Sequence, residues 1–312
     1  MDQLSYEYCT LCPRMCRVDR RTQTGFCGCG SHPMAARAAL HFWEEPCISG
    51  PEYEPGGSGT VFFSGCTLNC CFCQNYSVSR EAFGTELSCE QLAQCFLKLQ
   101  DQGAHNINLV TPTQFFPSIV KALDLVRHRL TIPVACNCGG YERAETVALL
   151  KDYIDIWLPD FKYYDDQLAL RFSGAGDYFQ TASTAIGQMI RQTGAPVFQE
   201  VSLADKPSFS LMKTGVIIRH LVLPGHRDDS IRLLHWIHDH FPKGQYLISL
   251  MSQYTPYRKN SLYPELNRRI TTYEYQQVVD TALALGMEQG FMQKRTSARE
   301  EYTPPFNLEG LL

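Results

Sequence analysis

The sequence predicts an α/β fold: an open, partial (β/α)6 barrel of six parallel strands, preceded by a cysteine-rich N-terminal extension. Two observations carry this. From Gly59 onward, short runs rich in apolar and β-branched residues alternate with amphipathic stretches of helical period. The runs are apolar at successive rather than alternate positions, as in strands buried on both faces, which means a parallel sheet covered by helices. Six such units fall short of the eight of a closed TIM barrel. A doubly wound sheet is the alternative, and in either architecture ligands bind at the carboxyl ends of the strands.

Residues 1–58 are rich in Cys, Pro and Gly and end in "SGPEYEPGGSG", a loop-type composition. Strands are predicted at 59–65 ("GTVFFSG"), 105–111 ("HNINLVT"), 132–136 ("IPVAC"), 154–158 ("IDIWL"), 216–223 ("VIIRHLVL") and 245–250 ("QYLISL"). Ser88 and Gln91 make a capping box ahead of apolar Leu92, Cys95, Phe96 and Leu99. Thr271 and Glu274 do the same ahead of Val278, Val279, Ala282 and Leu283, with Gly286 as the stop. Further helical patterns cover 117–130, 143–152, 178–193 and 229–241. The segment 196–214 breaks the alternation: "PVFQEVSL" reads as an extra strand and "ADKPSFS" as a loop. The expected division is 1–58 extension, 59–293 barrel and 294–312 C-terminal tail, without repeats.

A chain of 312 residues with 44% hydrophobic residues can bury a substantial core. Its net charge of −4, with Lys and Arg scattered, offers no field for nucleic acid. The apolar runs are broken within about a dozen residues, too short to span a bilayer. "MDQLSYEY" is too polar and acidic for a secretory signal. The expected location is the cytoplasm, where 14 cysteines serve metals or catalysis rather than disulfides. Five lie between Cys9 and Cys29 and four between Cys66 and Cys73.

Within "SGCTLNCCFCQN" (64–75), Cys66, Cys70 and Cys73 have the spacing C-x3-C-x2-C on a loop leaving the first strand. Closely spaced thiolates on a short loop are how iron–sulfur clusters are held. A structural zinc site would want a fourth nearby ligand. Cys71, adjacent to Cys70, should point away and pack. Upstream, Cys9, Cys12, Cys16 and Cys27 are spaced C-x2-C-x3-C-x10-C, with Cys29 spare. Four thiolates suit either zinc or a second iron–sulfur cluster, with a role in stapling the extension or in electron delivery.

With Phe72 in its aromatic slot, the first motif resembles the C-x3-C-x-aromatic-C signature of the radical S-adenosylmethionine (SAM) enzymes. The resemblance runs from Gly59 to about Met292. It implies a 4Fe–4S cluster with three irons on Cys66, Cys70 and Cys73 and the fourth chelated by the amino and carboxylate groups of SAM. It further implies reductive cleavage of SAM to a 5′-deoxyadenosyl radical that abstracts hydrogen from a substrate. An electron donor such as flavodoxin or ferredoxin is the implied partner.

Within that superfamily the chain resembles pyruvate formate-lyase activating enzyme and its uncharacterised relatives. "LPDFKY" (158–163) matches a D-x-K element at the fourth strand, giving Asp160 and Lys162. "RHLVLPG" (219–225) resembles an R-x-V-x-x-P-G strand, with Arg219 a candidate for the SAM carboxylate. "CNCGGY" (136–141) resembles an N-G turn that makes Asn137 a SAM contact. The usual Gly-Gly-Glu element is replaced by "NLVTPTQF" (108–115), so Thr111 or Thr113, or carbonyls freed by Pro112, must meet the SAM amino group. Structural alternatives stand beside these. Asp160 and Lys162 share a strand face and can be an ordinary ion pair. Arg219 can cap a helix or pair structurally, and Cys136 and Cys138 can be packing residues.

The subgroup implies a protein substrate carrying the glycine of a glycyl-radical enzyme. A small molecule or short peptide is the alternative, and a non-catalytic iron–sulfur electron carrier is the alternative class. Such a carrier needs none of Asn137, Asp160, Lys162 and Arg219. In "ALHFWEEPCISG" (39–50), His41, Glu44 and Glu45 can be catalytic, but the aromatic content reads as a segment packed on the barrel mouth. The histidines of "HWIHDH" (235–240) fall on the solvent side of a helix. Gln253 and Tyr254, leaving the sixth strand, face either the adenosine or the substrate.

Overall fold

The computed structural model describes residues 4–51, 56–202, 207–257, 259–293 and 304–311. Most of the expected tail, and parts of the loops read at 49–59 and 204–210, lie outside the described residues.

In chain order the elements are β1 (Met34–His41), α1 (Pro46–Ser49), β2 (Ser58–Phe63), α2 (Tyr76–Ser79), β3 (Thr85–Glu86), α3 (Cys89–Asp101), β4 (Ile107–Val110) and α4 (Phe116–Val126). Then come β5 (Val134–Cys138), α5 (Ala144–Leu149), β6 (Ile156–Pro159), α6 (Asp166–Ser173), α7 (Tyr178–Thr193), β7 (Val197–Val201) and β8 (Phe209–Leu221). The chain closes with α8 (Arg227–His240), β9 (Leu247–Met251), α9 (Thr272–Ala284) and β10 (Gly290–Met292). The sheet runs β10-β9-β8-β6-β5-β4-β2-β1-β3 and does not close on itself. Neighbours from β2 to β10 along that path pair in parallel. The six predicted strands are β2, β4, β5, β6, β8 and β9, in chain order, and the open parallel barrel is present.

Strand alternation sets the two faces of this sheet. Val134, Cys136, Trp157, Val216, Ile218 and Ile248 point to one side and join the large core formed with the helices. Ala135, Ile156, Leu158, Ile217 and Leu247 point to the other, where Cys47 and Ile48 of α1 cover them. The α1 part of the N-terminal extension therefore lies on the concave face of the barrel. Ile48 is fully buried there, and its carbonyl accepts a 2.7 Å hydrogen bond from Asn106 Nδ2.

Four features depart from the sequence reading. β1, in a stretch read only as extension, pairs antiparallel with β2 and satisfies that strand's free edge. β10 adds a seventh parallel strand beside β9. The extra strand at 196–203 is β7, but it pairs antiparallel with an early start to β8, so β8 begins at Phe209 instead of 216. α6 was not anticipated; Asp165 caps it at the Gln167 N–H (2.8 Å) and Gly174, at φ 64°, ends it.

Both capping boxes are present. Replacing Ser88 by Ala removes the acceptor of the Gln91 N–H (3.1 Å). Expected is a loss of about 1 kcal/mol by urea denaturation with an unchanged m-value; no shift in midpoint would show that the cap adds nothing to α3.

Candidate active site

Because the inward side chains of a strand recur every second residue, the carboxyl ends of six strands place their last inward residues around one cavity. Phe62, Val110, Asn137, Asp160, Arg219 and Met251 all line it, and its volume is about 230 Å3. Cys66, Cys70, Phe72 and Cys73, on the loop after β2, form the opposite wall together with Thr67 and Leu68. Cys71 does not line it. Its N–H donates to Phe172 O (2.8 Å), turning the side chain toward a neighbouring surface pocket. Burial pushes the Cys66 thiol up to about 12, with Cys70 and Cys73 close enough to add to the effect. The Ser173 hydroxyl donates to Cys70 Sγ (2.9 Å).

Facing the thiols is a network of buried charges. Lys162 Nζ donates to Asp160 Oδ2 (2.5 Å), while Arg219 donates to Asp160 Oδ1 from both Nε (3.0 Å) and Nη2 (2.8 Å). Arg219 Nη2 also donates to Asn137 Oδ1 (2.6 Å) and Nη1 to Glu44 Oε2 (3.2 Å). Asn137 Nδ2 in turn donates to Glu44 Oε1 (3.2 Å). Burial by itself would raise the Asp160 carboxyl, but the charges of Lys162 and Arg219 outweigh it and hold the group below the usual carboxylate range. Lys162, whose charge burial opposes, is raised by Asp160 and by the nearby Cys70 thiol. Asp160, Lys162 and Arg219 are thus charged, with Lys162 near Cys70.

Backbone geometry fixes these positions. Gly140 sits at φ 77°, where a Cβ would stand 2.1 Å from Asp160 O, so the β5 turn must be glycine to approach β6 this closely. The Tyr178 hydroxyl accepts from Lys162 N (2.9 Å) and directs its proton at Asp160 O (2.6 Å), with Gly139 O also in reach at 2.9 Å. A helix on the outer face therefore clamps the strand end that carries both charges.

The candidate residues named from the sequence fall out as follows. Cys66, Cys70, Cys73, Phe72, Thr111, Asn137, Asp160, Lys162 and Arg219 all line one cavity. Thr111 adopts φ 55° and its N–H donates to Asn137 O (2.8 Å). Thr113 lines the cavity too and gives its hydroxyl to buried Glu142 (3.0 Å), whose carboxyl burial raises to about 8. Gln253 lines the cavity, whereas Tyr254 is buried and donates to Leu266 O (2.7 Å). Cys136 packs on the helix side. The histidines of α8 are exposed.

Glu44 corrects the packing reading of its segment. The segment does pack on the barrel, with His41 and Trp43 in the cavity wall, but Glu44 also reaches Arg219, Asn137 and Asn108. The signal available was an acidic pair inside an aromatic run, too common to separate from a surface charge. Burial keeps His41 neutral, its pKa lowered to about 4. A second cavity of about 520 Å3 shares Trp43, Glu44, Arg219, Met251 and Gln253 with the first.

Residues 60–197 match the family model of the Radical SAM superfamily. Over that stretch, a little under half of the chain, the sequence is similar to a radical SAM domain. That superfamily uses a 4Fe–4S cluster and SAM, and the donor set here fits both groups. Three thiols share one cavity wall while a fourth, Cys71, is turned out of it. The opposite wall offers charge of both signs to an amino acid group. Among the described residues, no three His, Cys, Asp or Glu side chains are gathered tightly enough to hold a single metal ion; a four-iron cluster spreads its sulfur ligands farther apart than one ion does.

An uncharacterized protein of Methanocaldococcus jannaschii is 28% identical over 287 residues, covering 89% of this chain and 75% of that one. Among solved structures, methylornithine synthase (PylB) is 14% identical with a TM-score of 0.49, over 82% of this chain and 65% of that one. Streptococcus suis SuiB, bound to its precursor peptide SuiA, is 13% identical with a TM-score of 0.46, over 85% of this chain and 49% of that one. The chain thus spans about half the length of SuiB and just under two thirds of PylB. Among the described residues no helix is long and apolar enough to cross a membrane.

Proposed function

We propose that the chain is a radical SAM enzyme whose Cys66, Cys70 and Cys73 hold the cluster and whose substrate is a small molecule or short peptide. The observation that carries this reading is that the three thiols and the Asn137–Asp160–Lys162–Arg219–Glu44 network open into one cavity. An electron carrier has no use for such a network. When bound, the cluster and SAM supply one-electron reductive cleavage of a carbon–sulfur bond and, through it, hydrogen abstraction from carbon.

The chain's own residues position and protect. Burial raises the Cys70 thiol, and Lys162 and Ser173 work against that with a positive charge and a hydrogen-bond donor. Asn137 and Arg219 present polar atoms to the SAM carboxylate. Of the five guanidinium N–H groups of Arg219, those accounted for by Asp160, Asn137 and Glu44 leave one for a ligand. Thr111, which lines the cavity, would accept from the SAM amino group. Phe62, Phe72, Val110, Leu221 and Met251 keep the cavity wall apolar, which limits water and stray hydrogen donors.

The substrate size follows from where the extension lies. Residues 41–51 occupy the concave face, and Trp43 and Glu44 stand in both cavities. A loop from a folded glycyl-radical partner needs that space open, whereas a small molecule or short peptide does not. The test is anaerobic reconstitution with reduced flavodoxin or ferredoxin as electron donor, SAM, and either small-molecule and peptide fractions or candidate glycyl-radical enzymes. Expected is 5′-deoxyadenosine formation stimulated by the former, with no stable protein radical. A glycyl doublet in the electron paramagnetic resonance spectrum of a partner would overturn the substrate class. No SAM cleavage under any condition would overturn the enzyme reading.

A further inference from the structure

We propose that Cys9, Cys12, Cys16 and Cys27 form a tetrathiolate site for one zinc ion, which staples the N-terminal extension onto the back of the cysteine loop. The inference is independent of the SAM reading. Residues 4–33 contain no helix or strand among the described residues, yet Cys9, Leu11, Cys12, Arg20 and Cys29 are buried. Ordering such a segment costs roughly 1–2 kcal/mol per residue in backbone entropy. Its few apolar contacts and backbone bonds are a thin return.

The backbone is nevertheless folded tightly around the thiols. Cys9 N–H donates to Val18 O (3.1 Å) and Arg17 N–H returns to Cys9 O (2.9 Å), while Met15 N–H closes a turn on Cys12 O (3.0 Å). Met15 and Arg17, on either side of Cys16, sit at φ 41° and 58°. Non-glycine residues leave that region unless something holds them there. The Phe26 N–H donates to Cys16 Sγ (3.2 Å), as backbone amides do toward a sulfur carrying negative charge. Cys16 Sγ and Cys27 Sγ each lie 3.5 Å from the point a Cβ on Gly25 would occupy, so both sulfurs border that glycine. As the side chains stand, no three of them converge on one point; binding one zinc ion, with Zn–S bonds of about 2.3 Å, requires the thiols to turn toward it.

Charge balance points the same way. Arg20 is 1% exposed and donates to three carbonyls, those of Cys29, Gln114 and Gly30. Carbonyls satisfy its N–H groups but leave its charge uncompensated, which burial makes costly. The ionisable groups acting on it are the thiols of Cys27 and Cys9 and the Tyr6 phenol. Four thiolates on a divalent ion carry a net charge of two minus and supply the missing counter-charge. Cys29 is left out of the set: its thiol donates to Ser64 O (3.3 Å) and packs where Gly65 has no side chain. Through Cys29, Arg20 and Gln114, whose amide donates to Ser64 O and Gly65 O, the site buttresses the residues just before Cys66. On its other side the segment is clamped to α5 by Arg143 and Thr146.

The test uses the full chain with Cys66, Cys70 and Cys73 replaced by Ala, purified without chelator. Expected is about one zinc per chain and no iron. After metal removal, cobalt(II) should restore a 1:1 complex with the near-ultraviolet thiolate charge-transfer and tetrahedral d–d bands. Adding Cys29→Ala keeps that stoichiometry; adding Cys12→Ala halts it, with circular dichroism reporting whether the variant is folded. Should that variant not fold, the cobalt titration of its parent decides the question. Absence of both zinc and cobalt bands overturns the site, and iron with acid-labile sulfide overturns the single-ion assignment.

Discussion

Cys70→Ala is expected to reduce anaerobic SAM cleavage to background and remove the 4Fe–4S absorption, while Cys71→Ala keeps most of both. The two residues are adjacent in sequence but opposite in role because the Cys71 N–H bond to Phe172 O rotates the chain between them. Cys70 lines the cavity, with the Ser173 hydroxyl on its sulfur, and Cys71 lines another pocket. A cluster bound through three thiolates loses one of its three protein ligands when one is deleted. Iron and sulfide analysis, absorption spectra and 5′-deoxyadenosine formation check the prediction. Full activity in Cys70→Ala would sink the assignment of the motif.

The second large effect is expected at the buried charges. Arg219→Ala should weaken SAM binding about tenfold to a hundredfold without loss of iron, the range expected when charge-assisted bonds of about 1.5–3 kcal/mol are removed. Arg219→Lys should recover little, because one ammonium cannot reach Asp160, Asn137 and Glu44 at once as the guanidinium fork does. Asp160→Ala carries an added penalty. Lys162 and Arg219, whose side chains are only 16% and 12% exposed, lose their shared carboxylate. Stranding partners of a buried pair costs about 3–5 kcal/mol of stability, so this variant should also melt lower. Equilibrium SAM binding and thermal denaturation separate the two consequences. Unchanged SAM affinity in Asp160→Ala, Lys162→Ala and Arg219→Ala would make the network purely structural.

Local features were legible before folding was considered. The spacing of Cys66, Cys70 and Cys73 is a property of eight consecutive residues. The capping boxes at Ser88 and Thr271 are set by side chains three apart, and both form. Doubly apolar runs such as "IDIWL" need burial on both faces, which the helices and the extension provide. Asp160 and Lys162, read as sharing a strand face, lie just past the end of β6 at Pro159, and both line the cavity.

What tertiary structure decided lies in pairs distant along the chain. "MAARAALH" has weak strand propensity and becomes β1 because β2 offers an unpaired edge. Glu44 enters the site because α1 buries Cys47 and Ile48 on the concave face, carrying the preceding residues up to Arg219, 175 positions away. Tyr178, central to a helix that reads as ordinary, bonds the strand end at Asp160 and Lys162. The sequence by itself determined the six core strands, their parallel arrangement and the cysteine motif, since these depend on short-range spacing and on which faces are apolar. Which polar side chains meet above the strands, and how much of the barrel the extension fills, depends on the faces that come together when the chain collapses. Such contacts leave no period in the sequence.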